Sequence, residues 1–361
     1  MTDIQRLLLE NKKKYPLMEI TDAVKLIYQS EFGGGHMIPD ERAVFVRLQE
    51  EWHSLKGLDL KGRRLFEDIG GGIARLDIAL APEHLLPLIS KLFALSANAV
   101  KGSKASFDEK LGKLQRLCEG ERPLFPQEEL AAYLTEYDKM GYPPVSHSEV
   151  YRRAYSPAYR IVLSKYVHAW PLLCSIAERL KEKGSAVLAI DGRCGGGKTT
   201  LAELIRTVFA EEGTAAIAMD DFFLPLEKRT KERFEEPGGN VDYERFADEV
   251  LPGLKSPQGF SYRVFDCSLM RLEGERSIPP IDEAPLRIVE GSYSMRPELR
   301  GSYDIKVFVD IDEEEQSRRI LKRNGPELHK IFVDRWIPLE NFYFEALDIQ
   351  ESCDFAIKFE L

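Results

Sequence analysis

The run Gly192-Arg193-Cys194-Gly195-Gly196-Gly197-Lys198-Thr199 constrains this chain more than any other stretch. It matches GxxxxGK[ST], and its surroundings meet the physical demand behind the pattern. An apolar run at 186–190 precedes it. After it, Leu201, Leu204, Ile205, Val208 and Phe209 fall on one helical face, and Gly213 follows as a stop. In this strand, glycine loop and helix arrangement the backbone amides and the helix N-terminus face an anion. The glycines let the chain approach phosphate closely, Lys198 reaches the outer phosphate oxygens, and Thr199 ligates Mg²⁺. Gly192, Arg193, Cys194, Gly195, Gly196, Gly197, Lys198, Thr199 and the adjoining Thr200 are therefore the expected nucleotide site, with ATP and Mg²⁺ as cofactors.

From residue 185 onward, short apolar runs alternate with helical segments, as parallel βαβ units require. Five strands are expected, at 186–190, 215–219, 286–289, 305–309 and 355–359. Residues 1–160 read differently. Amphipathic stretches near 23–29, 41–55, 85–95 and 128–140 predict helices. One β-hairpin is expected at 73–80, where Leu76, Ile78 and Leu80 alternate with Arg75, Asp77 and Ala79 after Gly70, Gly71 and Gly72. Proline and polar residues between 142 and 157 mark a boundary, after which 159–183 predicts one long helix. Two domains follow, 1–160 and 161–361, a division that a length of 361 residues also favours.

A net charge of -10 argues against a nucleic-acid polymer as partner, since such binding leans on Lys and Arg. The opening residues lack a basic segment followed by a long apolar run, and no stretch approaches a membrane span. A cytoplasmic protein without membrane attachment is expected; a homo-oligomer is compatible with the sequence. The five cysteines are scattered and never form a CxxC pair, so reduced thiols are expected.

Phosphoryl transfer needs acids as well as a cradle, to orient the acceptor and to manage the metal. Asp220 and Asp221 follow the second expected strand and Glu290 follows the third, which sets them at the carboxyl edge of the sheet.

With these residues in view, the segment 185–361 resembles the uridine kinase group of P-loop kinases, whose relatives include nicotinamide riboside kinase, pantothenate kinase and phosphoribulokinase. Met219-Asp220-Asp221-Phe222-Phe223-Leu224-Pro225 is similar to the family's acidic-aromatic segment, which implies that Asp220 acts on the acceptor hydroxyl. Gly239-Asn240-Val241-Asp242-Tyr243-Glu244-Arg245-Phe246 resembles the segment whose aspartate holds ribose hydroxyls, a role implied for Asp242. Val289-Glu290-Gly291 is similar to the strand-ending acidic pair. Val309-Asp310-Ile311-Asp312, leading to Arg318, Arg319 and Arg323, resembles the lid helix whose arginines embrace phosphates. Arg319 and Arg323 are spaced to share a helical face. The implied fold is an α/β P-loop NTPase core with a five-stranded parallel sheet flanked by helices, beside a mostly α-helical N-terminal domain with a small β-hairpin.

The expected catalytic set is thus Lys198, Asp220, Glu290, Arg319 and Arg323, with Thr199 and Glu290 at the metal and Asp220 and Asp242 at a small-molecule hydroxyl acceptor. The family grips its base with an aromatic and histidine constellation. The comparable stretch here, from Tyr262 to Met270, holds no histidine, so uridine specificity does not follow. Tyr262, Arg263 and Asp266 are the candidates to line the acceptor site. The main reading is an ATP-dependent kinase for a nucleoside-like or sugar-like hydroxyl. Its rival is an ATP-binding regulatory protein with a degenerate kinase core; a third reading is a bifunctional enzyme.

The N-terminal half carries no activity that its residues name. Gly33-Gly34-Gly35-His36 lacks the Lys-Ser/Thr of a phosphate loop and reads as a loop ending a helix. His53, His84, His147 and His168 are isolated, as surface or core histidines are. Tyr151, Arg152, Arg153, Tyr155, Tyr159 and Arg160 form a basic-aromatic cluster, read as a packing seam between domains, with contact to the nucleotide or a substrate phosphate as the alternative.

Overall fold

A computed structural model of the chain describes residues 3–34 and 41–358. The chain divides into two compact units, Met1–Val167 and His168–Leu361.

In the first unit the helices are α1 (Asp3–Lys14), α2 (Ile20–Phe32), α3 (Glu41–Ser54), α4 (Leu86–Ala99), α5 (Lys104–Leu117), α6 (Gln127–Lys139) and α7 (Glu149–Tyr155). Local chemistry sets their ends. Ser103 accepts a hydrogen bond from the Ser106 amide at the start of α5, and Ser148 does the same for Tyr151 at the start of α7. Gly33, at φ 60°, closes α2, as expected for the loop there; Gly35 and His36 lie outside the described residues. The helices bury Leu8, Ile27, Phe107 and Leu114 in one core.

Strands β1 (Phe66–Asp68) and β2 (Ile73–Asp77) form the expected hairpin, which ends sooner than the alternation suggested. The Asp77 side chain accepts from the Ala79 amide and turns Ile78–Leu80 into a 3-10 helix. A correction applies to 159–183. Its first five residues form a third strand, β3 (Tyr159–Leu163), antiparallel to β2, and only then does α8 (Ser164–Lys183) begin. The open edge of β2 captures this aromatic and β-branched segment, whose local sequence alone is also compatible with helix.

The second unit continues with β4 (Ala186–Gly192), α9 (Lys198–Val208), β5 (Thr214–Ala218), α10 (Lys231–Glu235), α11 (Tyr243–Glu249), the antiparallel hairpin β6 (Phe260–Asp266) and β7 (Arg271–Ile278), β8 (Leu286–Glu290), α12 (Pro297–Arg300), β9 (Ile305–Asp310), α13 (Glu313–Ile331), α14 (Ile337–Ala346) and β10 (Phe355–Lys358). Five strands make one parallel sheet in the order β10-β9-β4-β8-β5. This is an α/β P-loop NTPase core. The central β4 is buried at every position, which explains its nearly unbroken apolar run. Because β8 and β9 flank β4 while β5 lies beyond β8, chain direction reverses across β4 and opens a crevice at its carboxyl end. Helix α13 breaks at Gly325 (φ 76°) before Pro326. Among the described residues no helix is long and apolar enough to cross a membrane.

Candidate active site

The glycine loop leaves β4 where the backbone has no room for a side chain. Gly192 has φ 136°, and a Cβ there would lie 2.1 Å from the Val309 carbonyl oxygen of β9. Gly195 and Gly197 also take positive φ, at 74° and 103°. Helix α9 then starts at Lys198 with no side-chain cap, so its N-terminal amides stay available to an anion. The Lys198 ammonium folds over the loop. It donates to the carbonyls of Gly192 at 2.7 Å and Arg193 at 3.0 Å and to Ser292 Oγ at 2.9 Å.

The side chains within the loop turn outward to brace it. Arg193 pairs with Asp310 at 3.0 Å and donates to Asn341 Oδ1 at 2.6 Å. The Cys194 thiol meets Gln316 of α13, and burial pushes its pKa up. The Cys194 amide donates to Glu340 Oε2 at 2.9 Å, and the other oxygen of Glu340 accepts from Ser292 at 2.6 Å. Beneath the loop, Asp191 is fully buried. It accepts from the amides of Gly192, Tyr293 and Met295 and from the Tyr343 hydroxyl, tying the start of the loop to the segment after β8.

Two acids stand at the sheet edge as expected. Glu290 ends β8, and its Oε2 accepts from Thr199 Oγ1 at 3.3 Å. Burial raises its pKa and the nearby Asp220 adds to the effect. After β5, the 3-10 turn Met219–Phe222 sends adjacent aspartates in different directions. Asp221 turns inward, accepting from Tyr262 at 2.9 Å and pairing with Arg276 at 3.2 Å. Asp220 keeps solvent access but is crowded by protein atoms. That crowding raises its carboxyl, while Lys198 and Arg323 pull the other way. Asp220, Glu290, Lys198 and Thr199 therefore share one electrostatic neighbourhood.

Of the lid arginines, Arg319 faces the loop, with Nη1 3.4 Å from the Gly195 carbonyl and Nε on Glu315. Arg323 acts on Asp220 electrostatically. Arg318 points away and pairs with Glu315. Asp242 is buried at the start of α11. One oxygen accepts from the Arg245 amide at 3.2 Å, and the other meets the half-exposed Lys228 at 2.9 Å.

The remaining acceptor candidates all have partners within the protein. The buried Tyr262 ring packs on Phe222 and its hydroxyl holds Asp221. Arg263 is held by Glu249. Asp266 accepts from Ser268 and Leu269 at the tip of the β6–β7 hairpin.

Sequence reasoning missed Asp191, Ser292 and Glu340. Asp191 left a faint signal, a lone charge ending an apolar run, and Ser292 directly follows the expected Glu290-Gly291 pair. Glu340 left none, because it meets the loop only through the fold.

A P-loop, an acidic sheet edge and an arginine helix on a five-stranded parallel sheet define a P-loop kinase. No family model matches the chain. It is 30% identical to the uridine kinase of Clostridium botulinum (strain 657 / Type Ba4) over 149 residues, which are 39% of this chain and 70% of that protein. It is 27% identical to the uridine kinase of Lactococcus lactis subsp. cremoris (strain MG1363) over 178 residues, 46% of this chain and 84% of that protein. A solved "possible uridine kinase" of Bacillus stearothermophilus is similar at 22% identity and a TM-score of 0.42, covering 53% of this chain and 97% of that one. The chain belongs to the uridine kinase-like family of P-loop kinases.

Proposed function

We propose that this kinase transfers the γ-phosphoryl group of ATP to a hydroxyl of a nucleoside-like or sugar-like metabolite. The observation that carries the reading is the convergence of Lys198, the Thr199–Glu290 pair and Asp220 at the carboxyl edge of one parallel sheet. A hydroxyl and a carboxylate 3.3 Å apart are hard oxygen donors that fit Mg²⁺. Bound there, the metal would offset charge on the phosphate oxygens. Lys198, the loop amides, Arg319 and Arg323 supply further positive potential for the charge spread over the transferred group. Asp220 accepts the proton of the acceptor hydroxyl, a task helped by a carboxyl raised above its ordinary value. Asp242 holds neighbouring hydroxyls of the acceptor through the oxygen that now meets Lys228.

The test is Mg²⁺-dependent ADP production across nucleosides, sugars, pantothenate and related alcohols, with Lys198→Ala as control. Stimulation by one compound, lost in the control, is the expected result and names the acceptor class. Tight ATP binding without stimulation by any compound would instead make the chain a nucleotide-binding regulator.

A further inference from the structure

The first unit contains a cavity of about 380 Å³ lined by parts of α1, the segment 58–64, the β1–β2 hairpin and the segment 151–159. That volume falls in the range of small-molecule sites. Its walls carry more basic than acidic side chains, although the whole chain is acidic. Arg63 is neutralised by Asp77, with contacts of 2.7 and 3.0 Å. Lys14 and Arg75 share the single carboxylate of Glu67. Asp59 turns one oxygen to the Lys61 amide. The exposed side chains of Lys61 and Arg64 have no ion-pair partner among the described residues.

Arg75 makes this a prepared site. Its side chain is 4% exposed. Nε and Nη2 both donate to Gln29 Oε1, at 3.1 and 2.7 Å, and the guanidinium lies 4.6 Å over the Tyr159 ring. Gln29 donates in turn to the Tyr159 hydroxyl, which meets His147 Nε2 at 2.7 Å, and His147 Nδ1 meets Asp22 at 2.7 Å. With the His147 proton on Nδ1, every member donates to the next, from cationic Arg75 to anionic Asp22. The relay fixes the guanidinium but leaves Nη1 with no hydrogen bond. That atom has only Glu67 Oε2, at 3.6 Å. A buried, oriented guanidinium edge lacking an acceptor suits a phosphate oxygen.

Four tyrosines, Tyr15, Tyr151, Tyr155 and Tyr159, line another part of the wall. Tyr15, Tyr151 and Tyr155 pack against one another with ring centroids 4.8 to 5.3 Å apart. The Tyr151 hydroxyl donates to no described residue. The cluster first read as a packing seam therefore supplies three cavity-lining tyrosines, Tyr151, Tyr155 and Tyr159, within the first unit itself.

We infer that this cavity is a second ligand site that takes a ring-bearing phosphomonoester, its phosphate on Arg75, Arg64 and Lys61 and its ring against the tyrosine wall. Titration calorimetry on the full chain, with uridine monophosphate and glucose 6-phosphate as probes and uridine and glucose as uncharged comparators, tests it. At least one phosphorylated probe should bind, and an excess of its uncharged counterpart, which the kinase cleft could itself take as an acceptor, should not displace it. The double variant Lys61→Glu/Arg64→Glu, altered only at exposed positions, should weaken that binding by about tenfold or more, as loss of charged contacts to phosphate does. Lys198→Ala should leave it within about twofold, since that lysine belongs to the other unit. Binding that survives the double charge reversal, binding that vanishes with Lys198→Ala, or no binding by either probe would each overturn the assignment.

Discussion

Asp191 in the second unit and His147 in the first are both buried and both hydrogen-bonded, yet burial moves their charge in opposite senses. Asp191 takes three amides and a tyrosine hydroxyl, and desolvation drives its pKa from 3.8 up to about 6. His147 lies between Asp22 and Tyr159, and desolvation drives its pKa from 6.5 down to about 4 despite the neighbouring carboxylate. Burial penalises the charged form of either group, so the acid holds its proton and the base gives it up. The linkage signs follow. Asp191 binds protons more readily when folded, so its contribution is full below pH 3.8 and is lost as pH rises through about 6. His147 binds them less readily, so its contribution is full above pH 6.5 and is lost as pH falls toward 4. Over nearly one window the two residues contribute opposite pH slopes. The difference has a use: a buried acid can lock a loop beneath a phosphate cradle, whereas a neutral histidine can pass a hydrogen-bond chain to a buried arginine.

The largest expected effect tests whether chemistry is confined to one side of this comparison. Asp220→Asn should lower kcat by about 10²- to 10⁴-fold, the usual worth of a general base, with ATP affinity nearly unchanged. Amide exchange in the first unit should not move. Unchanged turnover would remove Asp220 from the mechanism.

Next in size is the pH contrast itself. Amide exchange followed across pH 4 to 7 and compared with the variants below should show His147 adding protection to the first unit as pH rises and Asp191 withdrawing it from the second, each by on the order of 3 kcal/mol. His147→Gln should flatten only the first trend and Asp191→Asn only the second. A pH profile left unchanged by either variant would break the comparison.

The smallest effects belong to the arginine helix. Arg319, 17% exposed and set against Gly195, should cost about tenfold in kcat/KM when changed to Ala, as loss of a charge-assisted phosphate contact does. Arg318, 64% exposed and paired only with Glu315, should leave turnover unaltered and the melting temperature essentially unchanged when replaced by Ala. Equal losses at both positions would mean that the helix acts through general charge rather than through a directed contact.

The two units also differed in how legible they were. The phosphate cradle is made of consecutive residues, so its glycines, Lys198 and Thr199 could be recognised from spacing alone. Each of the five parallel strands announced itself as a short, largely apolar run, most fully at β4, which is buried at every position, and least at the edge strand β10, where only Ile357 is buried. Asp220 and Glu290 were found because the end of a strand is a position that sequence can locate. The strand at Tyr159–Leu163 was read as helix, since its identity depends on the edge of β2, some 80 residues earlier in the chain. The cavity of the first unit was invisible for the same reason: Lys14, Arg64, Arg75 and Tyr151 have no common spacing.

By itself the sequence determined a phosphate-binding loop on a parallel α/β core and the two acids at the ends of its strands, because those features are written in adjacent residues. Only the tertiary structure decided that Asp221 turns inward onto Tyr262 and Arg276, that Glu340 braces Cys194, and that Arg75 stands oriented with an unbonded edge. Those outcomes depend on desolvation and on hydrogen-bond geometry between distant segments, and both come into being only when the chain has folded.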